Sequence, residues 1–81
     1  MLNILFFAQV REVLNCDSMQ LATVPANLKT LRQELSQKSE LWAETLGSQS
    51  ALAAVNQTIS DDDAALKDGD EVAFFPPVTG G

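Results

Sequence analysis

One helix in this chain has to be covered by strands. Leu28, Leu31 and Leu35 recur at helical spacing, with Lys29, Arg32, Gln33 and Glu34 predicted to face water. Asn27 stands where an N-cap belongs, able to accept a bond from an unpaired N–H of the first turn. The spacing predicts a helix from there to about Ser39. Glu40–Leu46 reads as its continuation or as a second short helix, with Gly47 as the C′ residue that ends it. The flanking segments carry a different period. Leu2, Ile4, Phe6 and Ala8 alternate with Asn3, Leu5, Phe7 and Gln9, which predicts a first strand over 2–8. Met19–Val24 alternates again and is expected to pair back on that strand as a hairpin, across the turn-rich Asn15–Ser18. Leu52–Asn56, Thr58–Ser60 and Glu71–Phe75 complete the strands, with turns at Asn56-Gln57 and at Lys67–Asp70 and a loop at 48–50.

A single apolar helical stripe can be buried only on one face of such a sheet. Ile4, Phe6, Val72 and Phe74 are the expected floor beneath it. The order strand, strand, helix, strand, short strand, strand corresponds to an α+β, ubiquitin-like β-grasp fold. It is a mixed sheet wrapped on one main helix. Its first and last strands lie parallel at the centre, because the helix supplies the long crossover that parallel strands need. The 81 residues suffice for one domain, read as a folded body over 1–75 and an extended, flexible functional tail over 76–81.

Composition removes several function classes. With no histidine and one cysteine, a Cys/His zinc site or a histidine-dependent catalytic triad cannot be assembled within the chain, and no metal site is expected. Lone Cys16 has no disulfide partner here and points to a reducing cytoplasm. A net charge of −6 argues against nucleic acid or an anionic membrane as a partner. The apolar start is too short for a membrane span. Cys16 itself reads as a turn residue, Asp61–Asp63 as a solvated loop, Arg11 and Lys67 as surface charges, and Trp42 as a lid on the core.

Chemistry concentrates in Pro76-Pro77-Val78-Thr79-Gly80-Gly81. The prolines stop the last strand and hold the backbone extended. Gly80 and Gly81 end the sequence without side chains, so narrow channels can admit them. Six extended residues span about 20 Å, enough to enter a partner's active site while the body stays outside. The reactive group at the tip is the Gly81 carboxylate, ionised at neutral pH and a poor electrophile until activated. Beside the tail's root, the sheet face opposite the helix is expected to show Leu5, Phe7, Ile59, Ala73 and Phe75. An apolar patch of that kind marks a protein interface, with Phe7, Ile59 and Phe75 as its candidate contacts.

Four blocks resemble a known family: Leu5–Glu12 (LFFAQVRE), Leu31-Arg32, Ala53–Gln57 (AAVNQ) and Asp68–Gly81 (DGDEVAFFPPVTGG). The chain is similar throughout to the small, sulfur-carrying subunit of molybdopterin synthase, the MoaD family. The terminal block and the Phe-Phe-Ala-Gln-Val-Arg-Glu start are its specific markers. The resemblance implies that a ubiquitin-activating-like adenylyltransferase uses ATP to adenylate Gly81, and that a persulfide sulfur donor then converts it to a thiocarboxylate. It implies docking on the large synthase subunit, two small with two large. The tail would be inserted there through Pro76, Pro77, Val78 and Thr79, and sulfur given to cyclic pyranopterin monophosphate. On the same resemblance no cofactor would be bound permanently, and the chain would be the non-catalytic, sulfur-donor subunit of a sulfurtransferase complex. The rival readings are a carrier for thiamine or tRNA thiolation, a ubiquitin-like modifier joined to lysines, and an interaction module with an inert tail.

Overall fold

The computed structural model describes residues 1–47 and 50–77. The elements in chain order are β1 (Leu2–Phe6), α1 (Ala8–Leu14), β2 (Ser18–Leu21), α2 (Leu28–Ser36), α3 (Glu40–Thr45), β3 (Leu52–Val55), β4 (Thr58–Ser60) and β5 (Glu71–Phe75). The strands form one sheet in the order β2-β1-β5-β3-β4. At its centre β1 and β5 run parallel, with Leu5 opposite Ala73. The outer pairs β1–β2, β3–β5 and β3–β4 are antiparallel. This is the mixed β-grasp sheet that the element order predicts.

Alternation along the central strands builds the core. Leu2, Ile4 and Phe6 of β1 and Val72 and Phe74 of β5 are buried, and Leu28, Leu31 and Leu35 of α2 close over them. The Phe6 and Phe74 rings stack at 6.0 Å between centroids, and Trp42 of α3 meets Phe6 edge-on at 5.5 Å. Trp42 therefore covers the helical side of the sheet, as a core lid should. Asn27 caps α2 as expected, its Oδ1 accepting from Thr30 N at 2.9 Å. The Asn56-Gln57 turn has φ of 50° and 71°, the left-handed pair that a two-residue hairpin needs to match strand twist.

Several boundaries move. The first strand stops at Phe6 instead of Ala8, and the expected short connection is helix α1. Val10 and Leu14, four apart, are buried on its inner side. Ala8 turns the chain out of the strand with φ of 53°, a left-handed conformation that costs a residue with a Cβ about 1 kcal/mol. Strands β1 and β2 do pair antiparallel, but through a helix and not a tight hairpin. The second strand is Ser18–Leu21, shorter than the expected 19–24. The main helix ends at Ser36, and Ser39 starts α3 as a separate helix by accepting from Trp42 N. Gly47 follows the last helical residues, but its φ lies outside the left-handed range. Ser48 and Gln49 of the expected loop lie outside the described residues.

The largest correction is Arg32. It does not face water but is 6% exposed. Its Nε donates to Asp62 Oδ1 at 2.9 Å, and its Nη1 to the carbonyls of Leu46 and Gly47 at 2.9 and 3.1 Å. The guanidinium also lies 5.3 Å from the centre of the Phe74 ring. The Asp61–Asp63 loop is correspondingly more than solvated. Besides pairing with Arg32, it caps α2, since Lys29 N donates to the Asp62 carbonyl.

Candidate functional site

The sheet has a second face. Helices α1, α2 and α3 send their inward residues into the core cluster with Ile4, Phe6, Val72 and Phe74, so the alternate strand residues point away from them. Register arranges these residues in rows. Leu5, Ala73, Ala54 and Ile59 stand across β1, β5, β3 and β4 in one row. The next row holds Phe75 beside Leu52, and the bond from Phe7 N to the Phe74 carbonyl (3.0 Å) carries the parallel ladder on to set Phe7 beside Phe75. Phe7 is 45% exposed and Ile59 68%, while Phe75 is half-buried.

At the other end of the same face the row is polar. Gln20 Nε2 donates to Asn3 Oδ1 at 2.7 Å, and Asn3 stands beside Glu71. Asn56 closes this end, its Oδ1 accepting from Glu71 N and its Nδ2 donating to Asp70 Oδ1. That bond, aided first by the backbone N–H of Lys67 and last by its charge, holds the Asp70 carboxyl below its ordinary value of 3.8 against an opposing desolvation. The face thus runs from polar, where β5 begins, to apolar, where β5 ends. Its apolar half lies next to the point at which Pro76 and Pro77 leave the sheet.

Of the sequence-predicted contacts, Phe7, Ile59 and Phe75 fall on this one face. Pro76 is half-buried and Pro77 exposed. Val78, Thr79, Gly80 and Gly81, which carry the expected tail chemistry, lie outside the described residues. Among the described residues no group of three His, Cys, Asp or Glu could hold a metal ion, and no helix is long and apolar enough to cross a membrane. Cys16 is half-buried, its Sγ 3.4 Å from the Ser18 carbonyl. Arg11 stands 3.8 Å from Asp17, both exposed.

Sequence reasoning missed a groove that wraps the β4 edge. It measures about 670 Å³ and is lined by Arg32, Leu52, Ala53, Ile59, Ser60 and the Asp61–Asp63 loop. No periodicity signals it, because it joins strand residues to a loop folded back on α2.

Comparison with known proteins gives concordant results. The profile described as the ThiS family matches residues 4–81. The chain is 51% identical, over the whole length of both, to the molybdopterin synthase sulfur carrier subunit of Escherichia coli, and 49% identical on the same terms to that of Haemophilus influenzae. Among solved structures, it resembles a chain in the complex of subunits 1 and 2 of molybdopterin-converting factor from Helicobacter pylori. The TM-score is 0.69 at 32% identity, covering 99% of this chain and 97% of that one.

Proposed function

The chain belongs to the ThiS family, and from that premise we propose that it is the sulfur carrier of molybdopterin synthesis, with the Gly81 carboxylate as its working group. What carries the reading is about 50% identity, end to end, to two relatives named molybdopterin synthase sulfur carrier subunit. The family match alone leaves the pathway open; these relatives choose among the carriers. The site's geometry agrees with the division of labour. The apolar half of the open face ends at Phe75, so a partner gripping it is positioned to receive the tip.

The chemistry follows from the carboxylate. Its oxygen attacks the α-phosphorus of ATP on a separate ubiquitin-activating-like enzyme, and pyrophosphate leaves. The resulting acyl-adenylate gives the carbonyl carbon a good leaving group, AMP. The terminal sulfur of a donor persulfide attacks that carbon and AMP leaves; a thiol then attacks the donor-side sulfur of the acyl disulfide, forming a disulfide with the donor and releasing a thiocarboxylate, a competent nucleophile. On the large synthase subunit, that sulfur bonds to cyclic pyranopterin monophosphate, and water then cleaves the acyl–sulfur bond, so the sulfur stays on the pterin and the carboxylate returns at Gly81. Absent side chains at Gly80 and Gly81 leave room around the acyl carbon in both active sites, and Pro76, Pro77, Val78 and Thr79 form the inserted stem. Phe7, Ile59 and Phe75 make the docking contacts. ATP serves the activating enzyme and is no resident cofactor of this chain. The assembly is two small with two large subunits, in the cytoplasm.

The test is the intact mass after incubation with ATP, the activating enzyme and a sulfur donor. A gain equal to one oxygen replaced by sulfur, confined to the C-terminal fragment and lost in Gly81→Ala, is expected. Full loading of Gly81→Ala, or no loading by an activating enzyme competent on another carrier, refutes the mechanism. Conjugates with cellular lysines in place of the thiocarboxylate would select the modifier reading.

A further inference from the structure

We propose that the groove at the β4 edge takes a lysine or arginine side chain of the large subunit, at the rim of the docking face. The inference rests on the reading that this face docks that subunit. Two wall residues of the groove, Leu52 and Ile59, are also members of the apolar face, so face and groove form one surface that turns around the β4 edge. A partner seated on Phe7, Phe75 and Ile59 therefore meets the groove at its margin.

The lining sets the occupant's chemistry. Arg32 cannot be the recognition group, because Asp62, two carbonyls and the Phe74 ring already hold its guanidinium. It is a fixed floor. Asp61 and Asp63 are exposed at the groove's mouth, and among the described residues no ion pair engages either. The bond from Asp63 N to Asp61 Oδ1, 3.2 Å long, holds the two close. An occupant has to be apolar along its stem, against Leu52 and Ile59, and cationic at its tip, against the carboxylates. Lysine and arginine side chains have that construction. A carboxylate would be repelled, and an aliphatic side chain would desolvate Asp61 and Asp63 without return. The groove's 670 Å³ admits a whole long side chain. A charge pair at an interface rim acts mainly on the association rate and on partner choice, and salt screens it.

Binding to the purified large subunit is measured at low and high salt for five carriers. These are the unaltered chain, Asp61→Lys/Asp63→Lys, Asp61→Asn/Asp63→Asn, Glu40→Lys/Glu44→Lys on α3, and Phe75→Asp. The groove pair is expected to slow association about tenfold at low salt, with the loss largely gone at high salt. The α3 pair, an equal change in net charge on the helical side, is expected to do far less. Asp61→Asn/Asp63→Asn, which keeps shape and size, should give an intermediate loss and guards against a folding defect in the reversed variant. Equal losses from the groove and α3 pairs, or none from the groove pair, overturn the proposal. Phe75→Asp reports separately: if it binds normally the docking face is wrong, and if it alone binds weakly only the groove is wrong.

Discussion

Replacing Arg32 by leucine should be among the most damaging single changes in this protein, although it leaves an apolar residue on an apolar stripe. The change removes the Nε bond to Asp62 and both Nη1 bonds, to the Leu46 and Gly47 carbonyls. A buried acceptor stripped of its donor costs about 1–3 kcal/mol, and breaking a largely buried ion pair from one side costs about 3–5 kcal/mol in all. A leucine in the vacated space recovers part of this by packing on Phe74, so the net loss is set at about 3 kcal/mol. Against a total stability of roughly 4–12 kcal/mol for a domain of this size, much of the fold's margin would go. Arg32→Lys keeps the charge but cannot fork to three acceptors, and should lose about half as much. The assay is urea unfolding followed by Trp42 fluorescence, because that ring packs edge-on against Phe6 in the core. A loss below about 1 kcal/mol for Arg32→Leu would refute the view that Arg32 ties α2 to the Asp62 loop and the end of α3.

Two other predictions concern the outer face and the Asp70 carboxyl at its polar end. Phe75→Asp and Phe7→Asp should each weaken large-subunit binding about 10- to 100-fold, with thermal unfolding of Phe7→Asp little changed because its ring is already half in water; unaltered affinity in an isothermal titration would defeat the docking face. Asp70 has a depressed carboxyl in the folded state, so its contribution is present above pH 3.8 and is lost as pH falls through its lower folded value. Asp70→Asn should flatten the fall of stability with acid below pH 3.8, and identical acid profiles for the two proteins would exclude that role.

The strands and the main helix were readable because each obeys one period. Leu28, Leu31 and Leu35 give the helix, and Ile4, Phe6, Val72 and Phe74 give the floor beneath it. Their parallel pairing followed from the length of the crossover. Helix α1 is hidden from local reading although Val10 and Leu14 have helical spacing, because the alternation of β1 runs on in the sequence through Ala8 and masks the break. That break is a backbone event, a left-handed alanine, which side-chain period does not encode. Arg32 carries a charge that points, on local reading, to the water-facing side. Its position, four after Leu28 and next to Leu31, belongs to the buried stripe, and a charged residue there implies partners elsewhere. Those partners are Asp62 and two carbonyls from the end of α3, set by tertiary packing and invisible to local reading. Phe7, Ile59 and Phe75 could be placed on one face in advance because the two-residue period assigns faces. The groove could not, since it exists only once Asp61–Asp63 folds back onto α2.

The central position of β1 and β5 also shapes how the molecule comes into being. Leu5 waits for Ala73 across nearly the whole sequence. As the chain folds, β1 can find β2 and β3 can find β4 by local pairing, but those two pieces stay separate until β5 is laid between them. Until then Ile4 and Phe6 lack their neighbours Val72 and Phe74 in the core floor, and the edges of β1 and β3 that β5 will join are unprotected. Native pairing so remote in sequence makes the final step slow relative to a helical protein of the same length. The strand from which Pro76 and Pro77 lead away is therefore also the keystone, and a folding chain does not become a carrier by degrees.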